Sequence, residues 1–274
     1  MSSICLVCHV DSLASEAQIL AHSLGLDFHR GDAIEPDANV RAHRRLQKKL
    51  LKGRTAVLLL DHEGLSLMAE PEGFPLIVRA DFCDSTTQYR HNNGSNTREI
   101  IAKAVGLKSH SKPSVLDCTA GMGADAYVLA ALGCELTLLE RNPIVHALLK
   151  DAFARANKSE NPKIIETIKR MRLVPPVQAS LFMKQMAYGD RTSVVYLDPM
   201  FPPREKSARV KKGMQVFHSL VGKDLDSDEL LPLAWDRASD RVVVKRPRYA
   251  QPMNNQKPSY TLEGQRNRYD IYLK

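Results

Sequence analysis

Three stretches of the chain carry residues of the types and spacing that chemistry needs. The first is Val194-Val195-Tyr196-Leu197-Asp198-Pro199-Met200-Phe201-Pro202-Pro203. An apolar, β-branched run ends on an acid, a proline and then an aromatic. A strand of this kind delivers Asp198, Pro199 and Phe201 at its C-terminal edge. In an open parallel sheet that edge is where ligands bind. The Asp198 carboxylate and nearby carbonyls can accept the hydrogens of an exocyclic amine. Pro199 fixes its own φ and brings no N–H, and Phe201 offers a face on which a planar ring can stack. The plainer reading is a strand followed by a turn, because Asp-Pro is a common turn dipeptide.

The second stretch is Asp117-Cys118-Thr119-Ala120-Gly121-Met122-Gly123-Ala124-Asp125. A strand ends at Asp117, and a turn containing Gly121 and Gly123 leads into a helix. Glycines let the backbone pass close to a ligand. The third glycine of a dinucleotide fingerprint is missing, and so is the Gly-Lys-Ser/Thr ending of a phosphate loop. The third stretch supplies Glu140, 23 residues after Asp117. An acid at the end of the second strand of a βαβ unit is where ribose hydroxyls are held. The competing reading of Glu140 is a solvent-facing acid at a helix start, where the helix dipole favours it.

Elements must position these groups. Strands are expected at 114–117, 135–139, 173–178, 194–197, 241–245 and 269–273, the last antiparallel to its neighbour. Helices are expected at 97–105, 126–132, 143–156, 164–171 and 228–238. The helix at 143 has Asn142 as N-cap and Pro143 at its first position. Before them, 4–10, 56–61, 65–68 and 76–80 read as strands, and 16–24 as a helix capped by Ser15. The expected fold is α/β: a Rossmann-like, mostly parallel sheet over 91–274, preceded by a small α/β unit over 1–90. Residues 89–96 are polar and turn-rich, suited to a boundary or a loop over the site.

Composition narrows the partners. The chain has 274 residues, 43% of them apolar, with a net charge of +8 and an isoelectric point near 9.2. Anionic partners are expected, nucleic acid first among them. Basic residues gather in three places: 41–54, where seven of fourteen are Lys or Arg; 204–212, with Arg204, Lys206, Arg209, Lys211 and Lys212; and 245–248, with Lys245, Arg246 and Arg248. The last two groups follow proposed strands directly, so they should rim the same edge as Asp198. A solvated face is the alternative for any such run.

No apolar run is long enough to span a bilayer, and the start lacks a secretory pattern. Five cysteines point to free thiols in a reducing cytoplasm. Cys5-Leu6-Val7-Cys8-His9 formally matches a haem-attachment pattern, but two small apolar thiols in a buried strand is the preferred reading. No metal site is expected, and a monomer is.

The order D-x-x-x-G-x-G, an acid after the second strand and D-P-x-F after the fourth resembles class I methyltransferases that act on amino groups with S-adenosylmethionine. The wording is closer still to one family. Leu139-Glu140-Arg141-Asn142-Pro143, Val195 through Pro202, Val216-Phe217-His218-Ser219-Leu220-Val221-Gly222, Val242-Val243-Val244-Lys245-Arg246-Pro247 and Tyr269-Asp270-Ile271-Tyr272 look like the RsmJ family. That family methylates N2 of one guanine in bacterial 16S rRNA. The likeness is strong over about 95–274 and loose over the first 90 residues. It implies cofactor contacts at Ala124, Asp125, Glu140, Arg141, Ser180, Leu181 and Asp198, beside Asp117, Gly121 and Gly123. The family places a basic residue where Ala124 stands here, so contact there runs through the backbone. Its substrate implies 16S rRNA or a small ribosomal subunit particle as partner.

Two rivals stand beside this reading. One is an amino-methyltransferase for DNA or for a protein amide; the corner reads D-P-M-F rather than the D-P-P-Y usual in DNA enzymes. The other is a non-catalytic RNA-binding assembly factor, which would not need the glycine turn or Glu140.

Overall fold

The computed structural model describes residues 4–31, 47–70, 76–83, 96–199, 227–265 and 267–274. They fall into two compact units that divide between Ala80 and Asp81.

The first unit is a five-stranded sheet with the order β2-β1-β3-β4-β5. Its strands are β1 (Ile4–Cys8), β2 (Asp27–Arg30), β3 (Ala56–Asp61), β4 (Gly64–Ala69) and β5 (Leu76–Val78). β1 lies parallel to β2 and β3, while β3, β4 and β5 form an antiparallel meander. β1, β3 and β4 are buried on both faces, which is why they read as unbroken apolar runs. The helix α1 (Ala14–Ser23) starts two residues before the expected position, and no side chain caps it. β2 was not expected: Asp-Phe-His-Arg is an exposed edge strand with no apolar signal.

The second unit carries a seven-stranded sheet. Its strands are β6 (Ser114–Asp117), β7 (Glu135–Leu138), β8 (Met171–Leu173), β9 (Thr192–Leu197), β10 (Ala238–Pro247), β11 (Tyr260–Glu263) and β12 (Asn267–Leu273). The order is β11-β12-β10-β9-β6-β7-β8. β6 through β10 are mutually parallel, and β12 runs antiparallel to both β10 and β11. From β6 the chain goes to β7 and β8 on one side, then returns to β9 on the other. The C-terminal ends of β6 and β9 therefore flank a topological switch point, the place where such sheets bind ligands.

Helices α2 (Asn96–Ala104), α3 (Ala124–Ala131), α4 (Pro143–Asn157) and α5 (Pro162–Lys169) form one group, and α6 (Ala179–Gln185) packs against α7 (Ser227–Arg237). One core joins Leu116, Val195, Leu197, Val242 and Val244 of the sheet to Met183 of α6 and to Leu230, Leu231 and Ala234 of α7. Period-two alternation then sends Tyr196, Val243 and Lys245 to the other face. On α4, Asn142 accepts from the N–H groups of Ile144 and Val145, with Pro143 at the first turn, as the sequence predicts.

Two expectations shift. The strand expected over 173–178 is Met171–Leu173, because Pro175 and Pro176 have no N–H to give a ladder. Beyond those prolines the chain forms the short helix α6, which the sequence reading missed. The edge strand β11 was also missed, for the same reason as β2: its side chains are mostly exposed. None of the five cysteines is in a disulfide, and four of them are buried.

Candidate active site

The switch point is built by the turn after β6. Asp117 ends the strand almost fully buried, and its Oδ1 accepts from the Thr119 N–H at 3.0 Å. Burial pushes its carboxyl up to about 7. The Thr119 N–H and Lys245 pull it down, while Asp125 and Asp198 push it further up. The Cys118 N–H donates to Tyr196 O on β9, and the Ala120 N–H to Leu139 O beyond β7. The turn is thus pinned to both neighbouring strands.

Gly121 and Gly123 have φ of 53° and 74°, left-handed values that cost a glycine nothing. They do different work. A Cβ on Gly123 would stand 2.9 Å from Leu149 Cδ1 and 3.0 Å from Phe82 Cζ, so this glycine lets α3 seat against its neighbours. A Cβ on Gly121 would meet nothing nearer than Thr119 O at 3.8 Å. The turn therefore presents bare backbone to open space at Gly121.

Glu140 lies just past β7 and is 8% exposed. Its Oε2 accepts from the Gly121 N–H at 3.0 Å and its Oε1 from the Asn142 N–H at 2.7 Å. The carboxylate is held rigidly beside the glycine turn, not splayed into solvent at the helix start.

The corner after β9 meets the same turn. The Asp198 N–H donates to Thr119 Oγ1 at 2.6 Å. The Asp198 carboxylate is partly exposed, Pro199 is buried, and Lys245 Nζ donates to Asp198 Oδ2 at 2.9 Å. The same ammonium reaches Asp125 Oδ2, at the start of α3, at 2.7 Å. Tyr196 OH donates to that same oxygen at 2.7 Å. Tyr269 stands opposite Lys245 in the β10–β12 register and is buried beside Tyr196. Burial works against the charge on Lys245, but Asp125 and Asp198 outweigh it and hold its pKa well above the usual lysine value.

The remaining expected residues are spread as follows. Ala124 is exposed and Arg141 half-buried. Ser180 is buried at the start of α6, with Leu181 exposed beside it. Met200, Phe201, Pro202, Arg204, Lys206, Arg209, Lys211, Lys212 and the 216–222 stretch lie outside the described residues, as do most of 89–96 and residues 41–46.

Two of the basic residues expected along the rim are largely buried. Lys245 points into the site, between Asp125 and Asp198, and Arg246 is 8% exposed. Arg248 is half-exposed and pairs with Glu263. Thr119, Tyr196 and Tyr269 were missed as site residues. Lys245 closes a run of three buried valines, and a lysine so placed needs a partner inside.

A family described as "Putative SAM-dependent methyltransferase" matches residues 41–274. A protein of Cellvibrio japonicus named ribosomal RNA small subunit methyltransferase J is 43% identical over all of this chain and 98% of its own length. The chain belongs to this family of S-adenosylmethionine-dependent methyltransferases. A Pseudomonas aeruginosa relative of the same name is 48% identical over 77% of this chain and 80% of its own. The crystal structure of a SAM-dependent methyltransferase from Neisseria gonorrhoeae is 32% identical, with a TM-score of 0.67, covering 99% of this chain and 96% of that one. The α/β class and the S-adenosylmethionine cofactor expected from the sequence are both borne out.

The site suits that cofactor on its own evidence. The open backbone at Gly121 admits a ligand at close range, and Glu140 lies within hydrogen-bond reach of the same turn. Among the described residues no cluster of His, Cys, Asp and Glu could hold a metal ion.

Proposed function

We propose that this protein transfers a methyl group from S-adenosylmethionine to the exocyclic N2 of a guanine in 16S ribosomal RNA, in the cytoplasm. The observation that carries the reading is Asp198: a partly exposed carboxylate at the switch point, fixed through its own N–H to the glycine turn. The names of the relatives, ribosomal RNA small subunit methyltransferase J, support the substrate class. Among the described residues no helix is long and apolar enough to cross a membrane.

When bound, the cofactor supplies an electrophilic methyl group on a sulfonium. The chain's residues do the rest. Gly121 and Gly123 bring the backbone close, Glu140 accepts the ribose hydroxyls, and Asp125 with the start of α3 borders the same turn. Ser180 and Leu181 contact the adenine. The guanine N2 lone pair is delocalised into its ring, so the amine is a poor nucleophile. Asp198 and the adjacent carbonyl accept its hydrogens and favour a pyramidal nitrogen. Orientation of the reactants contributes most of the acceleration, about 7–11 kcal/mol in well-aligned intramolecular reactions. Phe201 stacks on the base and offsets part of the few kcal/mol of unstacking.

The test uses small ribosomal subunits from a strain lacking the gene. Purified protein and labelled cofactor should methylate one guanine at N2, and Asp198→Ala should abolish the label while the fold is kept. Label on another base or on protein, or near-normal transfer by the variant, contradicts the reading.

A further inference from the structure

Lys245 is an expensive residue for a strand core. Val242, Val243 and Val244 before it are fully buried, and its own side chain is 17% exposed. Taking an ammonium this far out of water is costly unless paired geometry offsets it, and a buried ionic set replaced as a whole by apolar residues is often no less stable. Fold stability alone therefore does not account for a lysine here.

Its surroundings do. Three acids approach the end of the sheet: Asp117 from β6, Asp125 from α3 and Asp198 from β9. Asp125 and Asp198 both add to the upward push on the Asp117 carboxyl. Lys245 Nζ lies 2.7 Å from Asp125 Oδ2 and 2.9 Å from Asp198 Oδ2. Asp125 is itself anchored by the Tyr196 hydroxyl. Asp198 is the most exposed member of the set, at 37% against 27% for Asp125.

We propose that Lys245 is a positioning residue for methyl transfer, its ammonium holding the Asp198 carboxylate aimed across the sheet edge, with Asp125 and Tyr196 anchoring it from behind. This rests on the reading of Asp198 as the acceptor for the amine. An ionised carboxylate offers both oxygens to N–H donors, while a protonated one offers fewer. As transfer proceeds, the nitrogen–carbon bond forms and the carbon–sulfur bond breaks, with the electron pair staying on sulfur. The extra proton leaves the nitrogen for solvent, and Lys245 keeps its own.

The experiment is a double-mutant cycle on the full chain, with Lys245→Met, Lys245→Arg, Asp198→Asn and the Met–Asn double variant. Single-turnover rates are measured on unmethylated small ribosomal subunits, with melting curves and calorimetric binding of S-adenosylhomocysteine alongside. Lys245→Met leaves Asp125 and Asp198 without their shared cation and should melt below wild type; where it stays folded it should lower the rate by about tenfold or more and leave S-adenosylhomocysteine affinity within about threefold, and in the Asp198→Asn background it should cost less than about twofold further. Lys245→Arg, which keeps the charge, should recover most of the rate. A folded Lys245→Met protein with a wild-type rate, or effects that multiply in full across the cycle, overturns the proposal. If Lys245→Met does not fold, Lys245→Arg decides: a rate near that of Asp198→Asn overturns the proposal, and one near wild type supports it. Wild-type activity in Asp198→Asn would instead remove the acceptor reading itself.

Discussion

The backbone N–H of Asp198 donates to the hydroxyl oxygen of Thr119 at 2.6 Å, joining the corner after β9 to the turn after β6. The two halves of the switch point are thereby locked in one geometry. Thr119→Val keeps the shape but removes the acceptor. An unpaired buried N–H costs about 1–3 kcal/mol. That cost falls on the folded state, so the melting temperature should drop by a few degrees, and methyl transfer should fall by roughly one to two orders of magnitude as the corner loosens. A wild-type rate in this variant would show that the bond does not set the corner.

Glu140 serves the turn and, in our reading, the ribose. Glu140→Ala removes charge-assisted bonds worth about 1.5–3 kcal/mol. Calorimetry with S-adenosylhomocysteine should show a loss of that size. Unchanged affinity in a folded variant would sink the ribose assignment.

The two glycines should fail differently. Gly123→Ala forces a Cβ into Leu149 and Phe82 at a φ of 74°, so it should lower stability by about 1–3 kcal/mol, seen as a lower melting temperature. Gly121→Ala carries the strain of its φ of 53° but meets no neighbour, so it should lose less stability than Gly123→Ala and more cofactor affinity. Equal loss of both properties in both variants would contradict this division.

Asp117 makes a prediction about pH. Its folded pKa, about 7, lies above its ordinary 3.8, chiefly through burial. The folded state therefore favours the protonated carboxyl. The stability this group contributes is full below about pH 4 and is lost as pH rises through 7. Asp117→Asn imitates the protonated form and keeps the bond from Thr119. The melting temperature of the variant minus that of wild type should increase from pH 4 to 7 and then level off. A difference that is flat with pH would refute the shifted carboxyl.

The basic run at 204–212 makes the last prediction. Replacing Arg204, Lys206 and Arg209 with Ala should weaken RNA binding and flatten the slope of log affinity against log salt by about 0.7–0.9 for each phosphate no longer neutralised. Binding of S-adenosylhomocysteine should not change. Normal RNA binding at moderate salt would make this segment a solvated face.

Local chemistry determined a good part of this protein. The buried strands announced themselves as Val- and Leu-rich runs, Asn142-Pro143 set the start of α4, and the alternation of strand and helix implied the parallel sheet. The Asp117-to-Gly123 turn, Glu140 and Asp198 were legible because each sits at a strand end, where the pattern changes from apolar to polar. β2, β11 and α6 were not, since exposed edge strands and a seven-residue helix carry little periodic signal. Charge was the least legible feature. In sequence, Lys245 belongs with Arg246 and Arg248; in space it belongs with Asp125 and Asp198, 120 and 47 residues away. Period two turns neighbouring residues to opposite faces, and only the pairing of β9 with β10 and the docking of α3 decide what each face meets.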